Sequence, residues 1–197
     1  MNAPAGEGAA ELNLSHLVEQ VKQGHTKAYA AIVEQYGRPL YQYAYSMLHS
    51  KEEAEDAVQD IFIRAYRSIG RYTEDISFTA WLYKIAYNHC LNVIRSRKRR
   101  ERLAFLGRRS AVAAPDYDLK IRTEELLREL SLEEKQIILL RAAEEMSYED
   151  IAVVLGCRAA TVRKKFERAR KKIAKLHSFE EEINDARPWQ VYNGNGK

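Results

Sequence analysis

Cysteine and proline are scarce in these 197 residues, at two and four, and glycine stands at nine. Cys90 and Cys157 allow at most one disulfide, too few to staple a small secreted fold, and both sit in apolar patterns that suit buried thiols. No apolar run approaches the roughly 20 residues of a membrane-spanning helix. The opening stretch MNAPAGEGAAE has neither a basic nor an apolar export region. Cytoplasmic residence without membrane insertion is therefore expected. The histidines, His16, His25, His49, His89 and His177, share no metal-ligand spacing with each other or with the cysteines, so no metal and no cofactor are expected. GxxxxGK[ST], GxSxG and HExxH are all missing, and with them the commonest grounds for expecting an enzyme.

What is present is charge, segregated by sign. The net charge is only +4. From Arg95 to Arg109, however, eight Lys/Arg face one acid, and from Arg158 to Lys175 nine face one. Glu52 to Asp60 holds five acids and no base. Two basic blocks and one acidic block predict two surfaces for polyanions and a third for a different partner.

The periodicity is helical throughout, with no alternating strand. Helices are predicted over about 14–23, 26–36, 39–49 and 51–69, with stops at Gly24, Gly37 and Gly70 and a start at Pro39. Another carries Trp81, Leu82, Ile85, Ala86 and Cys90 and runs out into RSRKRR. SAVAAP then breaks the pattern. Beyond it, helices are predicted over about 119–130, 132–145, 148–155 and 158–177. Ser50 with Glu53, Ser131 with Glu134 and Ser147 with Asp150 are capping signatures. The expected fold is all-α: two small helical domains, 12–102 and 118–177, joined by a flexible linker, 103–117. A poorly ordered tail, 178–197, would follow.

IAVVLGCRAATVRKKF condenses the chemistry. Gly156 permits a sharp turn between two helices. Val162, Phe166, Ala169 and Ile173 make one buried face of the second, and Ala160, Arg163, Lys164, Glu167 and Lys171 make the opposite one. This is a helix-turn-helix, whose second helix fits the major groove of DNA. A solvated amphipathic hairpin is the competing reading, but glycine placement, capping, packing face and charge all agree on the first. Its cations would neutralise phosphates, and base reading would fall to Arg158, Arg163, Lys164 or Glu167.

Three motifs, AEDAVQDIFIRAYRSI, FTAWLYKIAYNHCLNVIRSRKR and LSLEEKQIILLRAAEEMSYEDIAVVLGCRAATVRKKFERARKKI, resemble in order and spacing the extracytoplasmic-function group of the sigma-70 family. The resemblance covers about residues 14–176. It implies a factor that directs bacterial RNA polymerase core to promoters and assists their melting, in a stress or envelope response. The helix with Asp56, Gln59, Asp60 and Arg64 is similar to the one that docks on the clamp of the largest subunit; the flap is a second expected contact. Tyr72, Phe78, Trp81, Asn88, Arg95, Arg97, Lys98, Arg99 and Arg100 fall in the part that recognises the minus-ten element as a single strand, with Asn88 beside a flipped base. Trp81 also fits a core position, and Tyr72 and Phe78 fit either role. Arg158, Ala160, Thr161, Arg163, Lys164, Lys165, Glu167 and Arg168 fall in the reader of the duplex minus-thirty-five element. Arg158, Ala160, Lys164 and Phe166 depart from residues frequent in the family, which bears on the sequence read there. An anti-sigma partner is implied as well. The alternative is an adaptor that binds polymerase or a regulator without reading promoters.

Overall fold

The structure, a computed structural model, describes residues 5–107 and 130–185. Seven α-helices and one 3₁₀ turn occur among them, and no strand. In chain order they are α1 (Ala5–Lys22), α2 (Thr26–Leu48), α3 (Lys51–Ser68), the 3₁₀ turn Ile69–Arg71, α4 (Phe78–Gly107), α5 (Leu132–Ala142), α6 (Tyr148–Leu155) and α7 (Ala159–Asp185). The helix predicted over 119–130 lies almost wholly outside the described residues, as do most of the linker and the tail beyond 185.

Local chemistry sets most boundaries. The Ser50 hydroxyl accepts from the Glu53 amide at 3.3 Å. Ser131 and Glu134 form a complete capping box: the Glu134 amide donates to Ser131 Oγ at 3.3 Å, and the Ser131 amide donates to the Glu134 carboxylate at 2.9 Å. Ser147 accepts from the Asp150 amide at 3.0 Å. Each cap satisfies an amide that the first helical turn leaves without a partner, a contribution of typically ~1 kcal/mol.

Packing overrides local signals in α2. A break at Gly37 and Pro39 is predicted, yet α2 runs unbroken from Thr26 to Leu48 with Pro39 inside it. Proline in a helix interior costs about 3 kcal/mol through a lost amide and a clash with the preceding turn. Against that, Ile32, Tyr36, Leu40, Tyr43, Ala44, Met47 and Leu48 form one buried face. Burial of each large apolar side chain is worth roughly 1.5–3 kcal/mol, so the continuous face wins. Three ends also lie further out than predicted. Helix α1 begins at Ala5, α4 continues to Gly107 rather than ending near Arg102, and α7 continues to Asp185 rather than ending near His177. The two C-terminal extensions, LAFLG and SFEEEIND, hold no proline to interrupt them.

Helices α1 to α4 enclose a core around Ile32, Leu40, Tyr43, Ile61, Leu82 and Tyr83; Ile137, Leu140, Ile151, Val154 and Val162 extend the same cluster into the second half. Helix α6 lies against α4. At that junction the Ser77 hydroxyl donates to Asp150 at 2.8 Å while also capping α4 through the Ala80 amide at 3.2 Å.

Candidate nucleic-acid interface

Helix α3 is amphipathic, with Ala54, Ala57, Ile61, Phe62 and Ala65 turned into the core. Asp56, Gln59, Asp60 and Arg64, the predicted polymerase-facing set, are all exposed on its other side. Ile63 and Tyr66 extend that surface and are 48% and 42% exposed, unusual for large apolar groups on a charged helix. Such a patch, rimmed by acids, is what a protein partner covers.

Where α3 crosses α4 the chain forms a cleft of about 500 Å³, lined by Arg64, Arg67, Ser68, Arg71, Ile85, Asn88, His89 and Asn92. That volume lies within the roughly 300–1,000 Å³ of ligand-sized sites. Three guanidinium groups at helical spacing occupy one wall, and two amides a turn apart, Asn88 and Asn92, occupy the other. Guanidinium groups bond phosphate oxygens, and an Asn side chain offers both a donor and an acceptor to a base edge. His89 is buried in this wall, with Nε2 3.9 Å from Asp60 Oδ2. Burial and the Arg64 guanidinium hold its pKa below the ordinary histidine value, against the opposing pull of Asp60.

Asn88 thus faces solvent in a cationic cleft. The aromatic residues lie elsewhere. Tyr72 and Phe78 are 8% and 4% exposed, packed edge to face with centroids 5.4 Å apart. They belong to the core rather than to a solvent-facing stacking surface, which decides between the two positions the sequence left open. The Tyr72 hydroxyl donates to the Ile76 carbonyl at 3.0 Å and so fixes the turn before α4. Trp81 is half-buried on the same cluster, 5.3 Å from Phe78 and 5.4 Å from Tyr72. Further along α4, Arg95, Lys98, Arg99 and Arg100 are exposed. Arg97 instead turns back to the Leu48 carbonyl and to Glu53, both at 3.2 Å. It ties α4 to the α2–α3 junction.

The sequence reading missed Arg67, Ser68, Arg71, His89 and Asn92. Arg64, Arg67 and Arg71 carried a usable signal in their spacing of three and four. His89 carried none, because its partner Asp60 lies 29 positions earlier.

In the second half α6 and α7 form the predicted helix-turn-helix. Gly156 adopts φ 67°, the left-handed conformation that favours glycine, and its amide donates to the Ala152 carbonyl. Val162 and Ala169 are fully buried and Phe166 partly so, its ring 5.8 Å from Tyr148. Arg158, Ala160, Arg163, Lys164, Glu167 and Arg168 are exposed, and Thr161 is half-buried. Acids answer several cations. Arg163 bonds Glu149 at 2.9 Å and Arg170 meets Glu167 at 3.6 Å. Lys165 pairs with Glu133, and Lys172 bonds Glu134 at 2.9 Å. The Arg163 guanidinium also lies over the Tyr148 ring, 5.4 Å from its centre.

A cationic cleft, a cationic face on α7 and an acid-edged face of α3 that meets the cleft at Arg64 are three charged surfaces of the described residues. Comparison with known proteins identifies their class. The family profile Sigma-70 region 2 matches residues 32–100, and Sigma-70, region 4 matches residues 120–173. The RNA polymerase sigma-H factor of Pseudomonas aeruginosa is 31% identical over 175 residues, 81% of this chain and 91% of that one. The ECF RNA polymerase sigma-E factor of Haemophilus influenzae is 33% identical, covering 84% and 95%. Among solved structures, the sigma factor RpoE in complex with the anti-sigma factor NepR, from Bartonella quintana, aligns with a TM-score of 0.64 at 26% identity, over 77% of this chain and 98% of that one. The chain belongs to the sigma-70 family, in its extracytoplasmic-function group. It is a sigma factor, which directs RNA polymerase to promoters.

Proposed function

We propose that α3 docks on polymerase core through Asp56, Gln59, Asp60 and Arg64, with Ile63 and Tyr66 as apolar contacts. The cleft then receives the unpaired minus-ten strand. Asn88 and Asn92 meet base edges, Arg64, Arg67 and Arg71 meet phosphates, and Arg95, Lys98, Arg99 and Arg100 extend the track. Trp81 offers its exposed edge to a base, held by Tyr72 and Phe78. Helix α7 enters the minus-thirty-five major groove with Arg158, Thr161, Arg163, Lys164 and Arg168. Lys165 and Glu167 stand at its flank, and the small side chain of Ala160 allows close approach. Residues 12–102 and 118–177 serve as two modules. Roughly 25 base pairs at about 3.4 Å each separate the two elements, near 85 Å, so α6 has to leave α4 before both are read together.

The chain acts by binding, in the cytoplasm, and leaves chemistry to the polymerase. Flipping a base costs a few kcal/mol, which contacts in the cleft must supply. An anti-sigma protein is the expected regulator, since the similar structure of the sigma factor RpoE is a complex with an anti-sigma factor.

The observation that carries this reading is the cleft itself, where Asn88 and three arginines converge beside the acidic face of α3. Run-off transcription with reconstituted holoenzyme tests it. For Asn88→Ala, open-complex formation falls while affinity for core is unchanged. An equal loss of core affinity would overturn the assignment. Wild-type chain that binds core yet supports no transcript on any promoter would instead establish an adaptor.

A further inference from the structure

His89 is the one ionisable group of the cleft that changes charge near neutral pH. It is 9% exposed, sits one position after Asn88, and reaches Asp60 at 3.9 Å. The charged groups around it are Asp60, Arg64 and Arg67 on α3 and Arg71 in the turn after it. Cys90, next along α4, has its thiol pushed up to about 12 by burial and takes no part. Arg64 and Asp60 therefore pull the ring in opposite directions: the guanidinium disfavours an imidazolium, and the carboxylate favours it.

An entering phosphate shifts this balance. It pairs with the arginines, removes their repulsion of an imidazolium, and adds negative charge within reach of the ring. The strand-bound cleft then favours His89 in its protonated form, and the proton comes from solvent. Resting on the assignment of the cleft to the unpaired strand, we propose that His89 is a positioning residue that makes strand capture proton-linked, with Asp60 as the carboxylate that steadies the imidazolium. The occupant is a phosphate-bearing unpaired strand rather than duplex, because the site is concave and its amides face inward. The linkage has a fixed sign. A ligand that raises a group's pKa binds more tightly as pH falls through that range, by at most about tenfold per pH unit for one proton.

The experiment measures affinity of the full chain for a fluorescein-labelled single-stranded minus-ten DNA, by anisotropy at constant salt, from pH 8 to pH 6. Wild type is expected to tighten by about fivefold, within the one-proton limit. His89→Gln, which keeps a polar side chain of similar reach, is expected to change by less than about 1.5-fold from its own pH 8 affinity across the range. Asp60→Asn is expected to move the midpoint to lower pH, because it removes the charge that favours protonation. Thermal melts of each variant exclude unfolding as the cause. An unchanged pH slope in His89→Gln overturns the inference. Arg67→Ala separates that failure from one of the underlying assignment. If its strand affinity equals wild type, the strand does not use this cleft and both readings fall. If affinity is lost while His89→Gln keeps the slope, only the proton linkage falls.

Discussion

The two halves of the chain carry similar positive charge and hold it in opposite ways. In the first, Arg64, Arg67 and Arg71 line a concavity, and the Asp60 carboxylate beside it is directed at His89. In the second, the cations ride a convex helix, and Arg163, Lys165, Arg170 and Lys172 each meet a carboxylate. A concave cationic surface suits a flexible single strand that can fold into it, and a convex one suits the groove of a stiff duplex. The acids around α7 reduce indiscriminate attraction to phosphate, so a duplex has to offer base contacts to bind well.

The strongest way to break this contrast is to empty the concave site. Arg64→Ala with Arg67→Ala and Arg71→Ala is expected to weaken single-strand affinity on the order of 10³-fold, since each hydrogen bond to a charged group is worth about 1.5–3 kcal/mol. Duplex minus-thirty-five affinity should stay unchanged. Electrophoretic titrations with both DNAs check this, and an equal fall for duplex would erase the distinction. Next in size is Leu140→Ala. Leu140 is fully buried beneath the helix-turn-helix, and its truncation should cost about 2–5 kcal/mol of stability. Chemical denaturation reads that loss, with duplex binding failing at temperatures where strand binding persists.

A smaller effect comes from the cap beneath the convex helix. Glu134 is buried, closes the capping box with Ser131 and bonds Lys172 at 2.9 Å. Burial alone would raise its pKa, but the Lys172 ammonium and the Ser131 bonds outweigh it and hold the carboxyl below its ordinary value. A carboxyl depressed in the folded state stabilises above its unfolded pKa, and that contribution is lost as pH falls through the lower folded value. Melting temperature should therefore decline below about pH 4.5 in wild type, with a shallower decline in Glu134→Gln. Ser131→Ala should cost about 1 kcal/mol at neutral pH.

Legibility from the sequence followed how local each cause is. Ser50, Ser131 and Ser147 were readable as caps because their partners lie three residues on. Gly156 was readable because its turn needs a left-handed residue. Gly37 and Pro39 misled because the force that keeps α2 continuous is packing against helices distant in sequence. The acidic face of α3 was visible as a stripe, and Asn88 through resemblance. The cleft was not visible, because it exists only where α3 crosses α4. Tyr72 and Phe78 stayed open between core and stacking because a loop position says nothing of what covers it.

The mildest test acts on the pairing that distinguishes the convex surface. Arg163 donates to Glu149 at 2.9 Å, with both side chains more than half exposed, and lies over the Tyr148 ring. An exposed pair of this kind contributes roughly 0–1 kcal/mol to stability, so Glu149→Ala should leave the melting temperature nearly unchanged. Its effect on DNA should be larger. Tyr148 still holds the guanidinium in place, the competing carboxylate is gone, and one negative charge leaves the face that meets phosphate. Affinity for minus-thirty-five duplex should rise about two- to fivefold at low salt and less at high salt, because the gained term is screened. Single-strand affinity should not move. If Glu149→Ala instead weakens duplex binding, the carboxylate aims Arg163 rather than restraining it, and the acids around α7 are part of the reading surface.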